Sequence, residues 1–154
     1  MRKITLSNRK TVVVDDEDYG LVANVKWHCD GKGYAVARIN RRTVFMHRLI
    51  LNPPSGMLVD HINHDKLDNR RCNLRIATPR QSVLNTRRKP SKTGFRGVSQ
   101  QRQSTSSKPY RAQIRISGRM TSLGYYATPE EAAAAYDHAA QKYHGEFAVL
   151  NFED

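Results

Sequence analysis

An alternating stretch near the C-terminal end constrains the fold of this chain more than any other feature. From Tyr110 to Ser117, apolar and polar side chains alternate, which predicts a β-strand with one buried and one exposed face. Ser117-Gly118 suits a tight hairpin turn, so residues 119–125 should form the return strand. Residues 94–99 are interpreted as a third strand. This part of the chain therefore predicts a three-stranded antiparallel sheet.

A helix should cover the apolar face of this sheet. Thr128 can cap a helix, Pro129 suits its first turn and Glu131 completes a capping box. Gly145 provides a stop. The apolar residues that recur between them at helical spacing are Ala132, Ala135, Tyr136, Ala139 and Tyr143. Because alanine is small, we expect this helix to lie close to the sheet.

The first 56 residues predict mainly β-structure. Thr11–Val14 is β-branched, and Thr43–Leu51 is mostly apolar, so both are interpreted as strands. His47 would then lie in an apolar strand, packed and hydrogen-bonded rather than catalytic. The acidic run at 15–18 suits the start of a short helix that ends near Asn24.

Residues 57–86 predict a strand, a polar loop and a helix. Met57–His61 is the strand, and Thr78 with Gln81 forms a second capping box. The basic, proline-containing stretch 87–92 predicts a linker. The expected fold is α+β: a mostly antiparallel domain over 1–86, then a domain over 93–154 with a three-stranded antiparallel sheet packed on one helix.

Positive charge is concentrated in the middle of the chain. The net charge is +12, and from Lys66 to Arg119 there are 15 Lys and Arg residues against one acid, Asp68. A solvated surface normally mixes both signs, whereas a field of one sign attracts a polyanion. A nucleic acid is therefore the favoured partner. A membrane surface is the weaker alternative, because no amphipathic helix carries these charges.

Composition disfavours several classes of protein. No stretch approaches the roughly 20 apolar residues of a membrane span, and residues 1–10 lack the apolar core of a signal peptide. We therefore expect a cytoplasmic protein with no membrane partner. Cys29 and Cys72 form no C-x-x-C pair, so no zinc is expected and both should be buried thiols.

Asp60 and His61 stand side by side at the end of a predicted strand. Phosphodiester hydrolysis needs a base that deprotonates water and a cation for the charge that develops on phosphate. A neutral histidine is a suitable base near pH 7, and a carboxylate is a suitable ligand for Mg²⁺. Surface Asp-His pairs are also common without any catalytic role. The pair alone leaves both interpretations open.

The surrounding text is more specific. His47-Arg48-Leu49-Ile50 and the stretch Val59–Thr78 resemble the HNH family of ββα-metal nucleases, especially the phage homing type. The resemblance implies a leader over 1–56 and an HNH motif over 57–86. It implies that His61 is the general base, that Asp60 binds a single Mg²⁺ or Mn²⁺ ion, and that Asn73 orients the metal loop.

One position departs from the family pattern. Where the family has an Asn or His as second metal ligand, this sequence has Ser82, whose hydroxyl is a weaker ligand. Asn85 lies one helical turn further on and is a candidate substitute. The departure keeps open an alternative function, a catalytically weak or inactive DNA-binding or regulatory protein derived from such a nuclease.

The last 60 residues resemble the ERF-type (Apetala) DNA-binding domain. The matching text includes 94–98, 110–115, 123–126 and 130–145. In that family the sheet enters the DNA major groove and the helix faces away. The implied DNA contacts are Arg96, Gly97, Ser99, Gln101, Gln113, Arg115, Met120 and Ser122, with Arg102 and Arg119 at phosphates.

The alternation supports the same orientation independently. If Ala112 and Ile114 face the helix, then Arg111, Gln113 and Arg115 face DNA, where arginine and glutamine can read base edges or contact phosphates. Few exposed aromatic side chains are expected on the sheet, which argues against a structured-RNA binder. The sequence therefore predicts a monomeric, site-recognising endonuclease for double-stranded DNA, encoded by a phage or prophage.

Overall fold

The computed structural model describes residues 1–86, 91–101 and 107–152. It divides the chain into two compact units, Met1–Ser82 and Val83–Asp154. Both units combine helices with antiparallel sheets, so the α+β fold class is confirmed. Residues 87–90 of the predicted linker, and Arg102, lie outside the described residues. No helix within the described ranges is long and apolar enough to cross a membrane.

The first unit begins with a hairpin and a three-stranded sheet. The hairpin pairs β1 (Arg2–Thr5) with β2 (Thr11–Val14), and helix α1 (Asp16–Val22) follows. The sheet has the order β3-β4-β5, all antiparallel. Its strands are β3 (His28–Cys29), β4 (Ala35–Ile39) and β5 (Arg42–Phe45).

The predicted strand over 43–51 is wrong. Strand β5 ends at Phe45, and helix α2 (Met46–Leu51) begins at the next residue, so His47 is helical. Met46 and Ile50 lie four residues apart and are 0% and 5% exposed, which is the spacing of one buried helix face. The helix ends where Asn52 adopts a left-handed conformation, with φ 42°.

A ββα arrangement follows. Strand β6 (Leu58–His61) pairs antiparallel with β7 (Leu74–Ala77), and helix α3 (Pro79–Leu84) comes next. The predicted capping box is confirmed, because Thr78 N donates to Gln81 Oε1 at 2.8 Å and Gln81 N donates to Thr78 Oγ1 at 3.2 Å. The residue pattern alone indicated a loop where β7 lies.

The second unit contains the predicted sheet and helix. Its strands are β8 (Val98–Gln100), β9 (Tyr110–Ile116) and β10 (Arg119–Tyr126), in the order β10-β9-β8, and its helix is α4 (Pro129–His144). Ala112 and Ile114 are at most 1% exposed and pack on alanines and Tyr136 of α4.

Two expectations about burial are wrong. Tyr143 is 49% exposed, because the buried face of α4 is turned towards Ala133 and Ala140 instead. Cys29 is buried as expected, but Cys72 is exposed in the turn before β7. Neither cysteine is in a disulfide.

Candidate active site

Asn73 fixes the loop that connects β6 and β7. Its side-chain Oδ1 accepts a hydrogen bond from Asn63 N at 2.9 Å, and its Nδ2 donates to Asp68 O at 2.8 Å. Its backbone carbonyl accepts from Ile62 N at 2.9 Å. One nearly buried amide therefore holds both ends of the loop that follows His61, consistent with the orienting role expected for it.

An ion pair between two residues of the same loop, Arg70 and Asp68, also stabilises it. Arg70 donates through Nε to Asp68 Oδ1 at 2.7 Å and through Nη2 to Oδ2 at 2.6 Å. Asn63 Nδ2 donates to the same carboxylate at 3.1 Å. The hydrogen bond from Arg70 is the main reason that the pKa of Asp68 lies below its usual value. Asp68 is therefore a structural anion.

The N-terminal residues of the chain also hold this loop. Val13 N donates to Leu67 O at 2.9 Å, and Asn69 N donates to Val13 O at 2.8 Å, so strand β2 pairs with the loop. Arg71 forms a two-pronged ion pair with buried Asp18 of α1 at 2.7 and 2.8 Å. Arg71 N also donates to Asp15 Oδ2 at 2.8 Å.

Asp60 and His61 end strand β6, as predicted, and Asp60 has a partner that the sequence did not reveal. The register of β6 and β7 places Arg75 opposite Asp60. The Arg75 Nη2 and Asp60 Oδ2 atoms lie 3.1 Å apart, with the two side chains 9% and 13% exposed. Arg75 could have been identified only from the register of β7 against β6, and the residue pattern did not indicate a strand at β7.

His61 is buried among rings. It is 4% exposed, and its ring centroid lies 5.0 Å from that of His47 and 5.9 Å from that of Tyr34. Burial is the main effect on its pKa, and it lowers the pKa below the usual value although a hydrogen bond with Asn69 and nearby carboxylates act to raise it. A neutral imidazole is the form that accepts a proton.

His47 packs against His61 and Tyr34 in this group of rings. Its ring meets His61 edge to face, with an interplanar angle of 80°. Burial, with smaller effects from His61 and Arg48, lowers the pKa of His47 to about 3. The ring is packed as expected, but its Nδ1 has no hydrogen-bond partner among the residues described.

The donor set suits a hard cation with few protein ligands. Asp60 Oδ2 is engaged by Arg75, and no described residue donates a hydrogen bond to Oδ1. Ser82 is half-buried on α3, and Asn85, just after the helix, is 5% exposed. Within the described ranges no three His, Cys, Asp or Glu side chains form a metal-binding group. Carboxylate, hydroxyl and amide oxygens such as these are ligands that a hard divalent cation accepts.

In the second unit, most of the predicted DNA contacts share one face of the sheet. The register pairs Arg115 with Met120, Gln113 with Ser122, and Arg111 with Ser99. Within this face Arg111 Nε donates to Ser122 Oγ at 3.3 Å. Gln101 is exposed just after β8, and Arg119 is exposed at the start of β10. The face lies opposite α4, which covers Ala112 and Ile114.

Arg96 and Gly97 have a different position. Arg96 donates to Tyr136 Oη at 2.8 Å and to the carbonyls of Thr86 and Leu84, each at 2.9 Å, so its guanidinium is turned to protein acceptors. At Gly97 a Cβ atom would lie 2.0 Å from the Tyr136 ring. These contacts give both residues a structural role in the second unit.

Comparisons with known proteins identify a family for this chain, and the matched motif lies mainly in the first unit. Residues 52–84 match the family model of HNH endonucleases. The chain is also 32% identical over 143 residues to a protein of Acanthamoeba polyphaga mimivirus named as an uncharacterized HNH endonuclease, with 88% of this chain and 71% of the relative covered. No solved structure matches the chain. Because that alignment extends far beyond the matched motif, the chain belongs to the HNH endonuclease family.

Proposed function

We propose that this chain is a DNA endonuclease of the homing type that uses one Mg²⁺ or Mn²⁺ ion. The observation that carries the proposal is the pair of neighbours Asp60 and His61 at the end of β6. His61 is buried with a lowered pKa, and Asp60 has one carboxylate oxygen free of hydrogen bonds from the described residues. Asn73 fixes the loop beside them.

Each residue has a distinct task in this proposal. The neutral imidazole of His61 takes a proton from the attacking water. Asp60 would hold the divalent ion, while Arg75 keeps the carboxylate in place through Oδ2. The chemistry that a divalent ion would supply there is stabilisation of the charge that develops on the phosphate. Asn73 keeps the loop from shifting His61 relative to Asp60.

The second unit is proposed to recognise double-stranded DNA in the manner of an ERF-type domain. The support is the exposed sheet face that carries Arg111, Gln113 and Arg115, and the concentration of positive charge in this part of the sequence. Two DNA-binding units joined in one chain raise each other's effective concentration at a long site. We propose that the protein acts as a monomer in a bacterial cytoplasm, encoded by a phage or prophage.

Nicking of supercoiled plasmid tests the catalytic part. Wild-type protein should nick with Mg²⁺ or Mn²⁺ and not with EDTA. The His61→Ala variant should lose at least about 100-fold in rate, as expected for a general base, and still bind DNA. Exposed His28 serves as the matched control, so His28→Ala should nick normally. Nicking that persists in EDTA or in His61→Ala would refute the assignment.

A second candidate function is a DNA-binding protein with little or no cleavage. The observation that favours it is Ser82, a weak ligand where the HNH pattern has an amide or imidazole. This candidate predicts normal DNA binding but little or no nicking at any metal concentration.

The DNA-reading part is tested by affinity for selected and random duplexes. If Arg115 contacts a base edge, Arg115→Ala should lose about 1–3 kcal/mol on a selected duplex and less on a random one. Lys142→Glu on exposed α4 is the control, and it should lose much less affinity because α4 covers the opposite face. An equal loss of affinity in both variants would contradict the prediction that DNA binds the sheet face that carries Arg115.

A further inference from the structure

The β4–β5 hairpin ends in an unusual turn. Ile39 pairs with Arg42, so the loop has only two residues, Asn40 and Arg41. Their φ angles are 49° and 63°, as in a type I′ turn, in which glycine is strongly preferred at the second position. This sequence has an arginine there. A strained backbone position that carries a charged side chain suggests a function for the charge.

The tip of this hairpin carries three unpaired positive charges. Arg38, Arg41 and Arg42 are exposed, and none forms an ion pair with a described residue. Other arginines of the first unit, such as Arg70 and Arg75, are bound to carboxylates. The hairpin therefore concentrates charge that no described part of the protein neutralises.

The opposite end of the same hairpin borders the candidate active site. Tyr34 directly precedes β4 and packs on His61, with ring centroids 5.9 Å apart. Phe45 ends β5 and packs on His47 at 5.4 Å. At about 3.3 Å per residue, the five residues of β4 place the tip about 17 Å from this wall. Measured along the helix axis of a DNA duplex, that span corresponds to about five phosphates of one strand.

We propose that the tip of the β4–β5 hairpin binds phosphates of the same duplex, about five nucleotides from the bond that is cleaved. This inference rests on the proposed function, since it assumes that the phosphate chain lies at His61. Arginine presents a fork of hydrogen-bond donors that suits phosphate oxygens. The two-residue loop keeps the tip of the hairpin narrow. One end of the hairpin thus packs on the active-site histidines, and its other end binds the DNA backbone.

The Arg41→Gly variant separates this function from stability. Glycine suits the turn, so the melting temperature should stay the same or rise. Loss of one phosphate contact should reduce the slope of log K against log salt by about 0.9 for a random duplex. The variant in which Arg38, Arg41 and Arg42 are all replaced by Ser, Gly and Thr, respectively, should reduce the slope by about 2.7. Arg41→Asn, which also tolerates positive φ, is the second single variant.

Arg9→Gly is the matched control. Arg9 is also exposed with a positive φ, 65°, but it lies in the loop of the β1–β2 hairpin. Its replacement removes the same charge and should leave the salt slope unchanged. An equal loss in Arg9→Gly would show that net charge alone sets the affinity, and would overturn the proposal.

Binding is measured with full-length protein in EDTA, so that cleavage does not enter the result. If the wild type binds and the Arg41 variants keep its salt slope, the hairpin proposal fails while the proposed nuclease stands. That outcome would also be expected of a hairpin that contacts a protein. If the wild type does not bind duplex DNA at all, both proposals fail. A reduced slope in the Arg41 variants, with a normal melting temperature, supports the hairpin site.

Discussion

Arg75 reaches across the β6–β7 pair to Asp60, with its Nη2 3.1 Å from the carboxylate Oδ2. The carboxylate proposed to hold the divalent ion therefore already has one cationic partner, and both side chains are largely buried. Such a pair keeps the carboxylate in one orientation, and removal of the arginine leaves a buried anion without compensation.

The first prediction is that Arg75→Met destabilises the first unit by about 3 kcal/mol, the lower end of the range for breaking a buried ion pair. Mg²⁺ should then raise the melting temperature more in the variant than in the wild type, because a second cation can compensate Asp60. Calorimetry with and without Mg²⁺ measures both effects. Arg2→Met, which breaks an exposed pair with Asp16, is the control and should change little. A metal response equal to that of the wild type would argue against binding at Asp60.

The second prediction concerns acid stability. Because burial lowers the pKa of His47 to about 3, the unfolded chain takes up a proton below about pH 6.5 while the folded chain does not. The stability conferred by neutral His47 is complete above pH 6.5 and is lost as pH falls towards 3, by up to about 1.4 kcal/mol per pH unit. His47→Phe should therefore lose less stability between pH 7 and pH 5, by about 2 kcal/mol.

Urea denaturation followed by the fluorescence of Trp27 measures this difference. Trp27 is the only tryptophan of the chain and lies in the core of the first unit. His28→Gln on the exposed face of β3 is the control, and it should keep the wild-type acid loss. If His47→Phe and the wild type lose the same stability on acidification, His47 is not buried in its neutral form.

The third prediction is that Ser82→Asn lowers the Mg²⁺ concentration needed for half-maximal nicking, or raises the nicking rate. An amide oxygen is a better ligand for a hard cation than a serine hydroxyl. The measurement is a metal titration of plasmid nicking, with Ser82→Ala as the control that removes the hydroxyl without adding a ligand. Unchanged metal dependence in Ser82→Asn would indicate that Asn85 or another group already fills the position.

The fourth prediction concerns the close contact of Gly97 with Tyr136. Gly97→Ala combines a positive φ, 75°, with a Cβ that would lie 2.0 Å from the Tyr136 ring, so it should cost about 3 kcal/mol or more. Gly118→Ala also has a positive φ, 86°, but no atom within 4 Å, so it should cost only about 1 kcal/mol. Denaturation followed by circular dichroism compares them. Equal losses would mean that the backbone conformation alone requires glycine at 97.

Elements that depend on neighbouring residues could be predicted from the sequence. The capping box at Thr78 and the N-cap at Thr128 are confirmed, and each involves residues only three apart. The box at Thr128 is only half formed, because the Glu131 carboxylate accepts from Ala127 N and not from Thr128 N. The β9–β10 hairpin is likewise encoded by its own turn and alternation. The apolar run of nine residues that contains His47 fits either a strand or a helix. Burial of Met46 and Ile50 on one face makes its second part a helix.

Contacts between distant residues could not be predicted. Asp60 and His61 were identifiable from their own chemistry and from a family pattern, but their partners were not. Arg75 meets Asp60 through a strand register, and Arg71 meets Asp18 across 53 residues of sequence. The family motif predicts that Arg96 contacts DNA, yet its guanidinium is bound to two carbonyls and to Tyr136. Only the folded backbone determines which acceptors an arginine reaches.

The pairing of β2 with the active-site loop bears on whether this motif could be transplanted. A peptide of residues 52–84 would contain Asp60, His61 and Asn73, but it would lack the backbone hydrogen bonds with Val13 and the carboxylate of Asp18 that binds Arg71. The loop would keep its sequence but lose these contacts with residues outside the peptide. A graft into another scaffold should therefore work only where the host already offers a strand beside the loop and an acidic helix start next to it.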